Sequence, residues 1–406
     1  MKDEKKAPKL RFKGFTDDWE QCKLGDVFAE RSEKSQDGNE ELLSVTLKDG
    51  VIKSESLDRK NTASLDKRNY KLVIPNDIAY NSMRMWQGAL GVSKFSGIVS
   101  PAYTVIKLRN QLENPYFYQY YFKKNEMLNV FRKNSQGLTS DTWNLKYPLF
   151  SRIRFFTAST REQQQISSLL YLLDQTITLH EEKKHQLERL KSALLQKMFA
   201  DENGYPAVRF RGFDEAWKQC KLGDVGQTYT GLSGKSKEDF GHGKARFVTY
   251  MNIYSNPVSD LNMVEPIEID ERQNEVQYGD AFFTTSSETP EEVGMASVWT
   301  GDEKHTYLNS FCFGYRPISK INPYYLAYML NSQSLRRKIV ILAQGISRYN
   351  ISKKSVMEIP ASLPSAEEQN RIGLIFKDLD QSITLYEHKL ELLKRLKSSL
   401  LQNMFI

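Results

Sequence analysis

Two blocks of this sequence occur twice, in the same order. Residues 8–27 (PKLRFKGFTDDWEQCKLGDV) and 206–225 (PAVRFRGFDEAWKQCKLGDV) share 13 of 20 positions, among them Trp19/Trp217, Cys22/Cys220 and the run Lys-Leu-Gly-Asp-Val. Residues 162–199 align without a gap to 368–405, with 21 of 38 positions identical. Between these blocks the halves diverge. Only landmarks recur: Asn-Pro-Tyr at 114–116 and 322–324, Gln-Gly at 136–137 and 344–345, and Asn144 with Asn350. A solenoid needs three or more short repeats, so this is a duplication. Copies kept alike in some blocks and unlike in others imply one scaffold presenting two different readers.

The longer block predicts helices. In 368–405 a spacing of four and three selects Ile372, Phe376, Leu379, Ile383, Tyr386, Leu390, Leu393, Lys397, Leu400 and Met404, nine of ten of them apolar or aromatic. The same register in 162–199 selects Ile166, Leu170, Leu173, Ile177, His180, Lys184, Leu187, Lys191, Leu194 and Met198, with seven of ten apolar. Thirty-eight residues at about 1.5 Å each make a rod of roughly 57 Å. A sustained seam with charged residues elsewhere predicts a coiled coil, weakest at His180 and Lys184. A pseudo-twofold axis relating the halves would make each helix the other's partner, antiparallel if the axis is perpendicular to the rods. The competing expectation is two amphipathic helices, each packed on its own domain.

The divergent regions read as mixed α/β. Segments 70–75, 101–108, 245–254 and 311–318 carry β-branched and aromatic residues between turn formers and predict strands. Segments 114–134 and 322–344 predict helices, each with Asn as N-cap, Pro at the first position and Gly137 or Gly345 near the stop. The expected fold is therefore a duplicated α/β (α+β) chain with circular, pseudo-twofold organisation. Its parts are a first mixed domain over 1–158, a central helix over 159–203, a second mixed domain over 204–363 and a C-terminal helix over 364–406.

Composition narrows the class. A chain of 406 residues with 40% hydrophobic and 26% charged residues is neither disordered nor fibrous. Three cysteines make no disulfide framework and point to a reducing, cytoplasmic setting. No apolar leader or membrane-length run is present, so no membrane association is expected. A net charge of +7 permits an anionic partner such as nucleic acid. The stretch Gly-Leu-Ser-Gly-Lys-Ser at 231–236 ends like a phosphate-binding loop, but Tyr229 stands where a further glycine is needed. A flexible basic loop is expected there. The Asn-Pro-Tyr tripeptides lack the second proline of amino-methylating sites and read as helix caps. The five histidines, 180, 185, 242, 305 and 388, have no metal-type spacing to cysteine. Cys22 and Cys220 are expected as small core residues. With no paired carboxylates and no cofactor-binding glycine motif, the chain is expected to catalyse nothing.

The order Lys-Leu-Gly-Asp, a variable region, a glycine-containing loop and Glu-Gln-x-x-Ile opening a helix that ends Leu-Lys-Ser-x-Leu-Leu-Gln-x-Met-Phe resembles the specificity subunits of type I restriction–modification systems, over essentially the whole chain. The first half departs from it: Ile-Pro-x-x-Leu-Pro precedes Glu-Gln at 359–364, but 153–157 reads IRFFT, so an irregular junction is expected there. The resemblance implies two target recognition domains, each reading one half of a bipartite, asymmetric double-stranded DNA target, with the helices setting the spacer. It implies two modification (methyltransferase) subunits, which use S-adenosylmethionine on adenine N6. Two restriction (translocase and endonuclease) subunits would use ATP and Mg2+, and no cofactor would be bound by this chain. Half-sites on one face of the duplex would lie about 34 Å apart. The alternatives are a self-sufficient DNA methyltransferase or nuclease, and a coiled-coil scaffold that does not bind DNA.

Base edges are read by Arg, Lys, Asn, Gln, Ser and Thr, and phosphates are held by Lys and Arg. The divergent loops therefore supply the candidates. In the first half these are Asn81, Arg84, Trp86 and Gln87, with Ser135, Gln136, Thr139 and Ser140. In the second they are Ser286, Ser287 and Thr289, with Gln344, Ser347, Arg348, Tyr349 and Asn350, and Lys235 and Lys237 as phosphate contacts.

Overall fold

The computed structural model describes residues 6–57, 66–201 and 203–406. Helices of two turns or more are α1 (Pro115–Phe122), α2 (Asn125–Asn134), α3 (Thr160–Lys197), α4 (Pro323–Leu330), α5 (Gln333–Ile341) and α6 (Ala366–Asn403). Two compact units are present: Met1–Glu181 with Lys389–Ile406, and Glu182–His388. The units cut across the four segments expected from sequence, because each takes one half of α3 and one half of α6.

The first unit holds β1 (Glu20–Lys23), β2 (Phe28–Glu30), β3 (Leu43–Thr46), β4 (Gly50–Lys53), β5 (Lys71–Val73), β6 (Ile78–Asn81), β7 (Leu90–Val92), β8 (Gly97–Val99), β9 (Tyr103–Leu108) and β10 (Arg154–Thr157). Its main sheet runs β2-β9-β6-β7, all antiparallel. Strand alternation buries both faces of this sheet. Ile78, Tyr80 and Ile106 meet the aromatic face of α1 (Phe117, Tyr118, Tyr121, Phe122), while Ala79 and Val105 pack against Leu43, Val45, Val51, Val73 and Val99.

The second unit holds β11 (Lys218–Lys221), β12 (Gly226–Thr230), β13 (Phe240–Val248), β14 (Val264–Ile267), β15 (Ala281–Thr284), β16 (Ser286–Ser287), β17 (Ala296–Val298), β18 (Thr306–Leu308), β19 (Cys312–Pro317), β20 (Tyr349–Asn350) and β21 (Pro360–Leu363). Its main sheet, β12-β19-β15-β17, has the same plan. Ala281, Phe283, Phe313 and Tyr315 face α4, and Phe282 and Cys312 face the opposite cluster with Val248 and Trp299.

Three expectations are corrected. Segments 114–134 and 322–344 are each two helices, broken at Lys123–Lys124 and at Asn331–Ser332. Residues 245–254 are strand only to Val248, because the Thr249 side chain caps a short helix, Tyr250–Ser255. The junction before α3 is regular: β10 pairs with β1, as β21 pairs with β11.

In each unit the repeated blocks meet at one node, where a long helix begins. In the first unit Glu162 is 1% exposed and accepts two hydrogen bonds from Arg11, both 2.7 Å, and one from Trp19 Nε1 at 3.1 Å. In the second, Glu368 is held by Arg209 at 2.7 and 2.9 Å and by Trp217 Nε1 at 3.1 Å. The neighbouring Gln163 and Gln369 accept from the backbone N–H of Asn114 and Asn322, which cap α1 and α4. Opening block, Asn-Pro-Tyr and Glu-Gln thus fasten one another. A buried carboxylate is tolerated because an arginine pairs with it bidentately.

Beyond the node, the long helices pair antiparallel inside each unit. In the first, Asp174 meets Lys397 at 2.5 Å and Glu181 meets Lys394 at 2.6 Å, around Leu173, Ile177 and Leu390. In the second, Lys184 meets Glu387 at 2.8 Å and Lys191 meets Asp380. The lysines that interrupt the predicted seam are therefore matched by acids on the facing helix. The N-terminal half of α3 and the first half of α6 also pack on the cores of their own units, through Ile166 and Leu170 and through Ile372 and Phe376. Both expectations for these helices hold in part.

Candidate nucleic-acid interface

In the first unit β6 ends at Asn81, whose side-chain Oδ1 accepts the N–H of Met83 at 3.0 Å and bends the chain outward. A 3-10 turn follows at Met85–Gln87, anchored by the fully buried Met85 and closed by Gly88 at φ +89°. This leaves Arg84 exposed, donating to Gln87 Oε1 at 3.0 Å, and Trp86 half-buried. The second predicted segment comes to the same place. Gln136 and Asn144 exchange backbone hydrogen bonds of 3.0 and 2.7 Å, the N–H of Leu145 donates to Ser82 O at 2.8 Å, and Trp143 meets Trp86 edge-on at 5.1 Å. Gln136, Thr139 and Ser140 are exposed, and the Ser135 hydroxyl donates to Phe131 O at the end of α2.

The second unit repeats this plan with different residues. Gln344 and Asn350 exchange backbone hydrogen bonds of 2.9 and 2.8 Å, and β20 then pairs with β16, Ser286 opposite Asn350 and Ser287 opposite Tyr349. Segments about sixty residues apart in sequence are thereby one surface. Gln344, Ser347, Arg348, Asn350 and Thr289 are exposed, and Ser286 and Tyr349 are half-buried. Ser287 points inward: its hydroxyl donates to Glu292, whose carboxyl lies below the usual range because Tyr254, Thr289 and Ser287 hydrogen-bond it. Arg336 fixes the neighbouring turn by donating to the carbonyls of Glu291, Val293 and Gly294.

Lys235 and Lys237 lie on a different segment, with no hydrogen bond to these loops among those of the described residues, and Lys237 is exposed. Lys235 Nζ is 2.9 Å from Asp270, with its side chain 11% exposed, and Lys237 opens a 3-10 turn capped by Ser236. The 231–236 stretch is pinned, not flexible: Leu232 is buried with Ala245, Phe247, Ile267 and Tyr307, and its N–H donates to Leu308 O at 2.7 Å. Asp270 Oδ2 accepts from Lys235, so that ammonium is engaged within the protein.

Sequence reasoning missed Trp143, Phe311 and Arg336. Trp143 stands three positions after Ser140, and a second tryptophan beside polar residues was its signal. Phe311, exposed, accepts at its carbonyl from the Thr285 hydroxyl at 2.7 Å beside β16. Nothing in the sequence marks it as surface. Burial pushes the thiols of Cys22 and Cys312 up to about 12 and raises that of Cys220, and Cys22 and Cys220 are half-buried at the edge of their cores. Among the described residues no helix is long and apolar enough to cross a membrane.

The type I restriction modification DNA specificity domain matches twice, over residues 16–189 and 214–395. The chain belongs to that family. The two matches follow the two units in number, and each contains one of the loop surfaces described above. A chain named as the MjaX type I restriction enzyme specificity subunit of Methanocaldococcus jannaschii is 22% identical over 220 residues. That match takes in 52% of this chain and 50% of the relative, so the chain spans about half the length of the curated relative it matches. The crystal structure of the type I restriction–modification S subunit from M. genitalium superposes with a TM-score of 0.57 at 16% identity, covering 98% of this chain and 99% of that one. A structure from work on assembly and conformational transition of the type I system gives 0.50 at 15% identity, with 95% and 97% covered. At these identities the likeness is one of fold, and it is the fold of specificity subunits.

Proposed function

We propose that this chain is the non-catalytic, sequence-reading component of a type I restriction–modification complex, each unit reading one half of a bipartite duplex target. The observation that carries this reading is the contrast between node and reader. The Arg-Glu-Trp node is residue-for-residue the same in both units, while the loops at the sheet ends share a plan and differ in side chains. A common frame with two different polar surfaces suits two different half-sites. Direct readout falls to Arg84, Gln87, Gln136, Thr139 and Ser140 in one unit, and to Gln344, Ser347, Arg348, Asn350 and Thr289 in the other. Exposed leucines on the long helices (Leu172, Leu179, Leu385, Leu392) offer apolar surface to methyltransferase subunits, which supply S-adenosylmethionine chemistry. Restriction subunits add ATP-driven cleavage, and a cytoplasmic location follows from that role.

The test is adenine methylation mapped across the genome of the native host, with and without the gene. One split motif, methylated once in each half and on opposite strands, should vanish on deletion and return on complementation. If purified chain and modification subunit together methylate no split motif and bind duplex no more tightly than unrelated polyanions, the reading is wrong.

A further inference from the structure

At equivalent places in the two reader loops, the residue after Gln-Gly is aliphatic and stands almost fully outside the protein. Leu138 is 102% exposed and Ile346 is 97% exposed. These are the highest exposures among the large hydrophobic side chains of the described residues. The loops that carry them have a defined backbone. Gly137 and Gly345 adopt φ +145° and +142°, and a Cβ there would lie 2.6 Å from the Thr142 carbonyl and 2.0 Å from the Arg348 carbonyl oxygen. The paired backbones of Gln136/Asn144 and Gln344/Asn350 close each loop at its base. Each aliphatic tip is therefore presented on a pinned turn, beside polar and cationic residues suited to DNA.

A side chain that packs on nothing is not kept aliphatic by the fold. Nor does its recurrence follow from the sequence read, since between the shared Gln-Gly and Asn the loops otherwise differ in length and side chains, Thr-Ser-Asp-Thr-Trp at 139–143 against Ser-Arg-Tyr at 347–349. What two different readers share should act alike on any sequence. We propose that Leu138 and Ile346 are wedges that enter the base stack of their half-sites, one in each, and locally unstack it. This rests on the DNA-reading function above. Leucine and isoleucine inserted between base steps act in this way in proteins that kink DNA, and chemistry on a base requires that it leave the stack.

The experiment uses the chain assembled with its modification subunits on a duplex carrying the mapped target. 2-Aminopurine is placed in turn at positions flanking each methylated adenine, and its fluorescence rises on unstacking. Wild-type complex should raise the signal in both halves. Leu138→Ala should abolish the rise in the first half only, Ile346→Ala in the second half only, and Leu138→Met should retain it. Anisotropy of the same duplex, cognate against scrambled, is recorded in parallel. Selective wild-type binding with a signal unchanged by either alanine variant overturns the wedge and leaves the reading function standing. Loss of selective binding by the wild type overturns the reading itself. Should either alanine variant fail to assemble with the modification subunits on a sizing column, the tips are protein-docking residues and the proposal is overturned.

Discussion

Glu162 shows how much of this fold rests on single side chains. Its carboxylate is buried, and its acceptors are filled by Arg11 and Trp19. Glu162→Gln keeps the shape and removes the charge, leaving the Arg11 guanidinium without its counterion. A broken buried pair costs about 3–5 kcal/mol. Denaturant unfolding should show the first unit melting earlier, while Glu368→Gln does the same for the second. Adding Arg11→Met to Glu162→Gln should recover much of the loss, because no charge is then stranded and the amide oxygen still accepts from Trp19 Nε1. Equal stability of wild type and Glu162→Gln would show that the node is not a clamp. The importance of these glutamates was only half legible in sequence. Their identity in both copies marked them, but Glu is seldom fully buried, and the Glu-Gln pair read as nothing more than a helix start. The reader residues divided similarly: side-chain type pointed to Arg84 and Arg348, yet type alone could not show that Ser287 and Lys235 are occupied by Glu292 and Asp270.

Among the elements, the long helices were the most legible, because thirty-eight residues of one period outweigh any local exception. The buried seam residues Ile166, Leu170, Leu173, Ile177, Met198, Ile372, Phe376, Leu379, Leu390 and Met404 are all ones the spacing selected. Lysines at seam positions were opaque, since their partners are about two hundred residues away. The paired helices make a prediction at this scale. Lys397→Glu sets two like charges together at Asp174 and should destabilise the first unit by about 0.5–1 kcal/mol, the range for partly exposed pairs. Adding Asp174→Lys should restore it, and a double-mutant cycle in urea measures the coupling. Additive effects would mean that the pair contributes nothing. Shorter helices were misjudged where tertiary contacts decide. No Pro or Gly marks the break at Lys124, whose buried ammonium donates to Phe405 O at 2.9 Å. At Ser332 the signal was present, because its hydroxyl caps α5.

For the whole molecule, two units with separate cores should answer separately to mutation. Arg84→Ala touches only the first reader, so methylation should relax or weaken at the first half-site alone, by about 1–3 kcal/mol if the guanidinium meets guanine bidentately. Arg348→Ala should do the same at the second half-site. Sequencing of methylated sites from strains carrying each variant reads both halves at once, and an identical motif profile for Arg84→Ala and wild type would remove Arg84 from the reader. Duplication made this two-part architecture readable from the chain alone. The meeting of β16 with β20, and of Trp86 with Trp143, was not, because it depends on long-range pairing with no local signature.

The node has a consequence for how such a gene can change. Each copy presents the same arginine, tryptophan and glutamate, so a crossover with ends inside the repeated blocks joins like to like. An incoming reader would find its anchoring partners already in place, whichever position it entered. New target sequences could then arise by exchanging whole cassettes between genes, or between the two positions of one gene, with no intermediate that must first relearn to fold.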